Sequence, residues 1–416
     1  MMRKSLFCLF YAASLSCCAQ NSPKNLLDDL LESRPDLFQK VLSSPETYEV
    51  QIIYTQINRD ADNQPSFVSF PYRVDAQRYF YPASTVKFPA VLLALEKMKQ
   101  LGLPPETSIR IDSVRSPQKK VDEDTTAANG LPSVAHYIKK ILLVSDNDAF
   151  NRLYEFLGQA YINENLWRKG YKDVLITHRL ATSDYGPEEN RYTNPMEFYQ
   201  GDSVLYRQEE VFNPKTYSPK VKNPYKGTAY VDNSGKLIRK PFDFSQKNYF
   251  SLEEMHEMLK AVIFPEAVPP RKRFDLRPED YNFLYQYMSM FPEESQYPNY
   301  KDGDHYDAYV KFILFGESKE PIPSNIRVFN KVGLAYGFLV ENAYVVDFEA
   351  KTEFLISAVI YTNQDQVLND SKYEYKEIGF PFMANLGQVI AWHEKQRPRK
   401  YPPDLSRFQF DYQNIK

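Results

Sequence analysis

Residues Tyr81–Ala90 have the sequence YPASTVKFPA and continue directly into VLLALEKMKQL. Ser84 and Lys87 stand three residues apart, where the chain turns strongly apolar. Residues i and i+3 of a helix share one face, with Cβ atoms about 5–6 Å apart. The pattern therefore predicts a buried helix that runs to about Leu101, before Gly102, with a serine and a lysine side by side in its first turn.

This pair has a chemical and an ordinary interpretation. A serine hydroxyl must lose its proton to attack a carbonyl carbon, and a lysine whose pKa is lowered by burial or by a second cation can accept that proton. The N-terminus of a helix also offers backbone N–H groups to a developing oxyanion. The ordinary alternative is a solvated first turn. We interpret the second Ser-x-x-Lys of the chain, Ser116–Lys119, in that way, because it lies in the polar stretch DSVRSPQKKVDED.

The composition excludes several classes of function. The chain has 416 residues with 51 basic and 54 acidic side chains, so its net charge of -3 gives no electrostatic footprint for nucleic acid. The sequence contains neither H-E-x-x-H nor C-x-x-C, and we predict no metal site and no cofactor. The histidines are scattered along the chain at His136, His178, His256, His305 and His393.

The N-terminus, MMRKSLFCLFYAASLSCCAQ, has a basic start, an apolar run and then small residues. This order predicts an export signal over residues 1–18. All three cysteines, Cys8, Cys17 and Cys18, lie in this signal, so we expect no disulfide in the processed protein. LSCC resembles a bacterial lipobox with Cys18 or Cys17 as the lipidated residue, and plain signal cleavage is the alternative. We expect an exported protein, periplasmic or anchored to a bacterial membrane only through this lipid.

Predicted strands lie at both ends of the chain, and helices lie between them. YEVQIIYTQINRD and SFVSFPYRV alternate near the N-terminus, and three alternating runs over 327–363 precede a C-terminal helix. We predict an α+β fold in which N- and C-terminal strands form one antiparallel sheet flanked by helices. We expect a single domain over 25–396, with an all-helical lobe at about 102–195 and a polar insertion at about 196–250. A C-terminal extension would cover 397–416.

Two further motifs carry polar groups. Ser145-Asp146-Asn147 interrupts a helical stretch, where these residue types favour helix caps but could also relay a proton. Lys331-Val332-Gly333 begins a predicted strand, and its glycine lets a strand edge approach a ligand closely. The pattern is weak alone, since Lys301-Asp302-Gly303 repeats it in a polar loop.

Taken in order, Ser-x-x-Lys, Ser-Asp-Asn and Lys-x-Gly form the set found in class A β-lactamases and penicillin-binding proteins. The chain resembles the class A β-lactamase-related serine hydrolases of the penicillin-recognising group over roughly residues 47–395. The resemblance implies a β-lactamase/transpeptidase-like fold and an acyl-enzyme mechanism. It makes Ser84 the acylated nucleophile, Lys87 its base and Ser145 the proton shuttle to the leaving group.

The same resemblance implies the groups that bind substrate. Asn147 would bind the substrate amide, and Lys331 would attract its carboxylate. Gly333 would let the strand edge approach, and the backbone N–H groups of Ser84 and Leu334 would form the oxyanion hole.

Two departures from the family pattern bear on the substrate and on deacylation. Val332 replaces the usual threonine or serine, and the lost hydroxyl removes about 1–3 kcal/mol of binding where its partner stays unpaired. These β-lactamases also carry a glutamate on a loop between the second and third motifs, which activates the hydrolytic water. The corresponding stretch here has Glu188 and Glu189 but no Glu-x-x-x-Asn. Either glutamate could be that base, or both are solvated and a β-lactam adduct would persist.

We therefore expect an exported serine hydrolase acylated at Ser84, acting on a β-lactam or a related cell-wall amide bond. A D-Ala-D-Ala-type peptidase or another amide or ester hydrolase is the first alternative. A non-catalytic binding lipoprotein that keeps the fold is the second. The partner would be a small molecule or peptide that bears a carboxylate, and the oligomeric state is not predicted.

Overall fold

The central feature of the fold is a sheet that contains strands from both ends of the chain. A computed structural model describes residues 24–412, and the predicted export signal with its three cysteines lies outside them. Five strands form one antiparallel sheet, in which two strands from near the N-terminus lie beside three from near the C-terminus. The prediction of an α+β fold with a sheet built from N- and C-terminal strands is confirmed. In their order across the sheet, these strands are β12 (Ile326–Ala335), β13 (Phe338–Asp347), β14 (Thr352–Tyr361), β1 (Gln51–Arg59) and β2 (Pro65–Tyr72).

Helices cover both faces of this sheet and fill the middle of the chain. The α-helices are α1 (Leu26–Glu32), α2 (Pro35–Leu42), α3 (Pro45–Tyr48), α4 (Lys87–Gln100), α5 (Val134–Val144), α6 (Asn147–Leu157), α7 (Gln159–Lys169), α8 (Leu252–Ile263), α9 (Pro278–Ser289), α10 (Phe312–Phe315, a distorted turn) and α11 (Phe380–Gln396). Short 3-10 turns lie at Ala83–Val86, Glu189–Arg191, Pro265–Ala267, Pro270–Lys272, Pro292–Glu294 and Ser406–Phe408, and a π-turn lies at Tyr375–Gly379. Among residues 24–412, every helix is too short or too polar to cross a lipid bilayer.

Short strands outside the central sheet organise the region between α4 and α8. They are β3 (Ser108–Ile111), β4 (Val174–Leu175), β5 (Met196–Gln200), β6 (Ser203–Gln208), β7 (Tyr225–Lys226), β8 (Ala229–Val231), β9 (Leu237–Ile238), β10 (Phe242–Asp243) and β11 (Tyr249–Phe250), with β15 (Val367–Leu368) after the sheet. β5 pairs with β3 and β6, so the stretch of 196–250 begins on strands shared with the helical region.

The sheet separates two apolar clusters because side chains alternate between its faces. On β13, Val340 and Tyr344 pack into the larger cluster with α4, α8 and the helices of the middle region. Leu339 and Ala343, one residue earlier, pack into the cluster with α1, α2 and α11. This period of two is what a strand that is buried on both sides requires. The site described below lies at one edge of the sheet, where β12 has a neighbour on only one side.

The last described residues belong to the larger cluster. Leu405, Phe408 and Tyr412 are buried there, although they follow the last helix. The Phe408 ring contacts four aromatic side chains of the cluster, with its centroid 5.0 Å from that of Tyr344. Residues 397–412 therefore pack onto the body of the protein.

Candidate active site

The Ser84 turn begins the site. Ala83–Val86 form a 3-10 turn and α4 begins at Lys87, so the structure differs from the predicted helix that starts at Ser84. The reason lies in the sequence, because Pro89 lacks an N–H and is tolerated only in the first turn of a helix. In a 3-10 turn, side chains at i and i+3 eclipse each other, so Ser84 and Lys87 stay on one side.

The edge strand β12 lies directly against this turn. A Cβ atom on Gly333 would stand 2.5 Å from the carbonyl oxygen of Pro82 and 3.1 Å from the backbone nitrogen of Ser84. Real Cβ atoms are not found that close to backbone, so only glycine permits this approach. Gly333 thus brings the strand edge, with Leu334 next to it, against the predicted nucleophile.

Lys87 is fully buried and holds the second motif. Its Nζ donates to the backbone oxygen of Ser145 at 2.5 Å, to Oδ1 of Asn147 at 2.7 Å and to Oγ of Ser145 at 3.3 Å. Burial lowers the pKa of Lys87 well below its usual value, and the nearby Lys331 ammonium lowers it further. Among the described residues, the Ser84 hydroxyl has no hydrogen-bond partner. Lys87 is thus a desolvated amine one turn after a half-buried serine.

The Ser145-Asp146-Asn147 break serves both as a cap and as part of the site. Ser145 ends α5 in the left-handed conformation, with φ 58°. Asp146 caps α6, since its carboxylate accepts the backbone N–H of Ala149 at 2.8 Å. This sharp reversal turns the side chains of Ser145 and Asn147 toward Lys87. The predicted helix break is confirmed at these residues.

Lys331 reaches the same point from β12. Its Nζ donates to Oγ of Ser145 at 2.7 Å and to the backbone oxygen of Val332 at 3.0 Å. Burial lowers the pKa of Lys331 to about 7, while the Glu341 carboxylate raises it and Lys311 lowers it. Ser145 therefore joins two buried lysines, one from α4 and one from the sheet edge.

A buried polar network behind Lys331 was not predicted from the sequence. Lys311 donates to Oδ1 of Asn330 at 2.7 Å, and the Asn330 amide donates to the Glu341 carboxylate. Glu341 Oε2 also accepts the backbone N–H groups of Phe312 at 2.9 Å and Ile313 at 3.2 Å. The signal was present, since Glu341 interrupts the apolar strand FLVENAYVVD, and a carboxylate between two buried faces needs partners.

A cleft of about 520 Å³ opens at this place. Residues of all three motifs line it: Ser84, Ser145, Asp146, Asn147, Val332, Gly333 and Leu334. The remaining lining comes from Val144 and Phe380 and from the segment 305–312. Asp146, the helix cap, is the one carboxylate among these lining residues. The two other matches to the motifs are solvent-exposed, since Ser116, Lys119 and Lys301 all face water.

A family model described as "Beta-lactamase enzyme family" matches residues 37–278. The chain belongs to this family. The matched range contains Ser84, Lys87, Ser145 and Asn147 and ends before Lys331. No curated protein matches the chain.

The chain is also similar to solved structures of β-lactamases. The β-lactamase from Sphaerobacter thermophilus DSM 20745 has a TM-score of 0.48 at 12% identity, over 88% of this chain and 98% of its own. The chromosome-encoded β-lactamase of Vibrio parahaemolyticus has a TM-score of 0.45 at 15% identity, over 87% and 100%. The β-lactamase from Chitinophaga pinensis DSM 2588 has a TM-score of 0.46 at 12% identity, over 85% and 98%.

Glu188 and Glu189 do not line the Ser84 cleft of this β-lactamase family member. Glu188 is exposed, pairs with Arg191 at 2.8 Å and lines a separate cavity of about 560 Å³. Glu189 points its carboxylate at Gly186, which lines that same cavity. In the family pattern, the loop between the second and third motifs supplies a glutamate for deacylation. Here the structure does not bring either carboxylate of this loop to Ser84.

The position of Leu180 shows how this loop meets the second motif. The Asn151 side chain, one turn into α6, donates to the Leu180 oxygen at 3.0 Å and accepts the Leu180 N–H at 2.8 Å. The loop is fixed further by Arg179, whose guanidinium pairs with the buried Glu155 at 2.9 Å. The backbone of this part of the loop is thus held by the Asn151 amide, and its Arg179 side chain is held by an ion pair. Within residues 24–412, no group of three or more His, Cys, Asp and Glu side chains could hold a metal ion.

Proposed function

We propose that this chain is an exported serine hydrolase that forms an acyl-enzyme at Ser84. Its substrate would be a small molecule or peptide amide that bears a carboxylate, either a β-lactam or a related cell-wall bond. Membership of the β-lactamase enzyme family supports the hydrolase class. Export, with or without a lipid on Cys18 or Cys17, is supported by the sequence of residues 1–18 alone.

The observation that carries the proposal is the buried Lys87, which bonds to Ser145 and Asn147 of the cleft lining. An amine enclosed by Ser145 and Asn147, with a second lysine close by, has a lowered pKa, which favours its neutral form. A neutral amine one turn after a serine can act as its base.

The proposed reaction has two stages, acylation of Ser84 and hydrolysis of the resulting ester. Lys87 Nζ takes the proton of Ser84 Oγ while Oγ bonds to the substrate carbonyl carbon. The amide C–N bond then breaks, and the proton passes through Ser145 to the leaving nitrogen. Water hydrolyses the resulting ester, which releases the acid and restores the Ser84 hydroxyl. Backbone N–H groups of Ser84 and Leu334 would stabilise the oxyanion, and the positive charge of Lys331 would attract the carboxylate.

Deacylation of a β-lactam adduct is expected to be slow. Asp146 is the one carboxylate that lines the cleft, and its acceptor oxygen already caps α6. A water near Ser84 therefore lacks a free carboxylate base among the lining residues. This favours the D-Ala-D-Ala-type peptidase alternative over efficient β-lactam turnover. Glu188 and Glu189 remain predicted bases without support from their placement.

A fluorescent penicillin with an intact-mass readout tests the proposal. We expect the wild-type protein to gain one adduct and Ser84→Ala to gain none. The matched control is Ser116→Ala, because Ser116 has the same Ser-x-x-Lys spacing but is solvent-exposed. This control should label like the wild type.

The lifetime of the adduct then separates the alternatives. An adduct that persists for hours supports acylation without an efficient base, whereas release within seconds to minutes identifies a working β-lactamase. If folded wild-type protein gains no adduct from the penicillin or from a fluorophosphonate, the acyl-enzyme proposal is wrong and a binding protein is favoured.

A further inference from the structure

One wall of the Ser84 cleft comes from a segment that belongs to none of the three motifs. His305, Tyr306 and Tyr309, here called the aromatic wall, line the cleft together with Ser84 and Ser145. The wall lies in the connection between α9 and β12, outside the range matched by the family model. The motifs therefore do not account for these side chains.

The rings of the aromatic wall support one another. The His305 ring lies 4.7 Å from that of Tyr309, and Tyr306 lies 6.0 Å from Tyr309. His305 is also fixed by Asp302, whose carboxylate lies 2.8 Å from Nδ1. Contacts at these distances and angles stabilise aromatic pairs. The three rings form one surface rather than three independent side chains.

The buried network described above fixes the base of the wall. Lys311, two residues after Tyr309, is fully buried and donates to the backbone oxygen of Met288 at 2.8 Å and to Asn330. Glu341 holds the next two backbone N–H groups. The wall is thus tied to β12 and β13 before any ligand arrives, which reduces the cost of ordering it on binding.

The two tyrosine hydroxyls and part of the ring surface are open to a ligand, while the Lys319 ammonium lies 5.7 Å from the centroid of the Tyr306 ring. Tyr309 is 37% exposed and Leu334, across the cleft, is 40% exposed. Neither the Tyr306 nor the Tyr309 hydroxyl has a hydrogen-bond partner among the described residues. Large apolar side chains that are exposed inside a concave site, with free polar tips, are typical of ligand contacts.

The wall lies on the leaving-group side of Ser84. It shares its cleft with Val144, Ser145 and Val332, and no residue of the loop 177–191 lines that cleft. Ser145 is the proposed proton donor to the leaving nitrogen, and Lys331 bonds to Ser145 and attracts the proposed carboxylate. The part of the substrate that departs must therefore lie against the wall.

We infer that the aromatic wall is a subsite that selects a leaving group with a large planar or aromatic side chain beside its carboxylate. The inference rests on the proposed function, because it needs an acyl-enzyme at Ser84. A leaving D-alanine would present only a methyl group to a cleft of about 520 Å³, and it would leave both tyrosines in contact with water. An aromatic side chain would cover these faces and remove apolar surface from water.

Two dipeptide substrates with one acyl part test this subsite. They are an N-acyl-D-alanyl-D-alanine and the matching N-acyl-D-alanyl-D-phenylalanine, and the measurement is kcat/KM for release of the terminal residue. We expect the phenylalanine substrate to be preferred by about tenfold or more, as is typical of filling an apolar pocket. The variant with both Tyr306→Ala and Tyr309→Ala should bring this ratio to within about twofold of one, since the contacts that discriminate are gone.

Tyr225→Ala is the matched control, because Tyr225 is 49% exposed and is not one of the residues that line the Ser84 cleft. It should leave the substrate ratio unchanged. Fluorophosphonate labelling of Ser84 is measured in every variant, so that loss of folding is separated from loss of selectivity.

The outcomes distinguish this inference from the proposed function. Equal rates for the two dipeptides in wild type, an unchanged ratio in the double variant, or turnover of neither while Ser84 labels normally would overturn the subsite alone. Absence of labelling in folded wild-type protein would overturn the proposed function and the subsite with it.

Discussion

At the scale of single residues, the site depends on two lysines with different tasks. Lys87 is proposed to work as a neutral base, and Lys331 is proposed to work as a cation. Both are buried, Lys331 lowers the pKa of Lys87, and both ammonium groups donate to Ser145 Oγ. The two required charge states coexist only within a limited range of pH.

Acylation by a carboxylate-bearing penicillin should therefore have a bell-shaped dependence on pH. Below the lowered pKa of Lys87 the base is protonated, so the rate constant rises as pH increases through that value. Above a pKa of about 7, Lys331 loses its proton and its attraction for the carboxylate, so the rate constant decreases. The measurement is the second-order rate constant for labelling of Ser84 between pH 5 and 10.

A neutral fluorophosphonate provides the control for this profile. It has no carboxylate, so it should show the rise at low pH without the decrease above a pKa of about 7. The assignment of the alkaline limb to Lys331 would be contradicted if both probes lost rate together at high pH.

Sequence reasoning located the chemistry at this scale because the motifs are local. Ser84 and Lys87 are three residues apart, so their spacing alone predicts that they share a face. The break at Ser145-Asp146-Asn147 is predicted by its residue types, whereas the roles of Ser145 and Asn147 come from the resemblance. The meeting of Lys331 with Ser145 came from the resemblance, because no local pattern joins positions so far apart. Glu188 and Glu189 were chosen by loop position, and position within a loop does not determine where a side chain points.

At the scale of elements, the edge strand β12 is attached to the rest of the site through polar bonds. Glu341 on β13 faces Val332 in the sheet register, and its carboxylate fixes Asn330 and the turn at Phe312. The same carboxylate raises the pKa of Lys331. Glu341 therefore acts through Lys331 and is a positioning residue.

The variant Glu341→Gln should separate substrate binding from nucleophilicity. Loss of the negative charge lowers the pKa of Lys331, so the alkaline limb of penicillin acylation moves to lower pH. Burial raises the pKa of Glu341 to about 7, so its carboxylate is largely ionised at pH 8. At that pH we expect kcat/KM for the carboxylate-bearing substrate to decrease by about tenfold, which corresponds to about 1.4 kcal/mol. Labelling by the neutral fluorophosphonate should be retained.

Glu353→Gln is a matched control for this variant. Glu353 is equally buried, on β14, and pairs with Arg59 at 2.6 Å instead of with any group near Ser84. It should reduce thermal stability without moving the alkaline limb. An identical shift in both variants would show that buried charge in general, and not Glu341, controls Lys331.

The elements themselves were largely predictable, and the exceptions have physical causes. The apolar run after Ser84 and the alternating strands have clear periods, so the helix and the sheet could be predicted. The predicted start of α4 was three residues too early, although the sequence carries a signal for the later start, because Pro89 is tolerated only in the first turn of a helix. The aromatic wall and the Glu341 network were missed since they form between segments that have no pattern of their own.

At the scale of the whole molecule, the C-terminal residues complete the larger core. The sequence predicts a C-terminal extension at 397–416 beyond the domain. Its described part buries Leu405, Phe408 and Tyr412 in the larger core. Phe408 packs between the sheet and the helices and contacts the rings of Phe329 and Tyr344. This segment stabilises the face of the sheet that supports β12.

The variant Phe408→Ala should lower the free energy of unfolding by about 3–5 kcal/mol, because it leaves a cavity among aromatic rings. Trp392→Ala is the control, since Trp392 is 65% exposed and should change stability by less than about 0.5 kcal/mol. Thermal or urea denaturation measures both. Equal stability of Phe408→Ala and the wild type would mean that the tail is not part of the core.

The close approach of Gly333 to the Ser84 turn also has a consequence for biosynthesis. Ser84 is made early, but the strand that completes its surroundings is among the last parts of the chain to be synthesised. A half-made molecule therefore has its serine without the second lysine and without an oxyanion hole. If Ser84 reacts as proposed, β-lactams would acylate mature molecules but not nascent chains. Labelling with penicillin would therefore count only completed proteins.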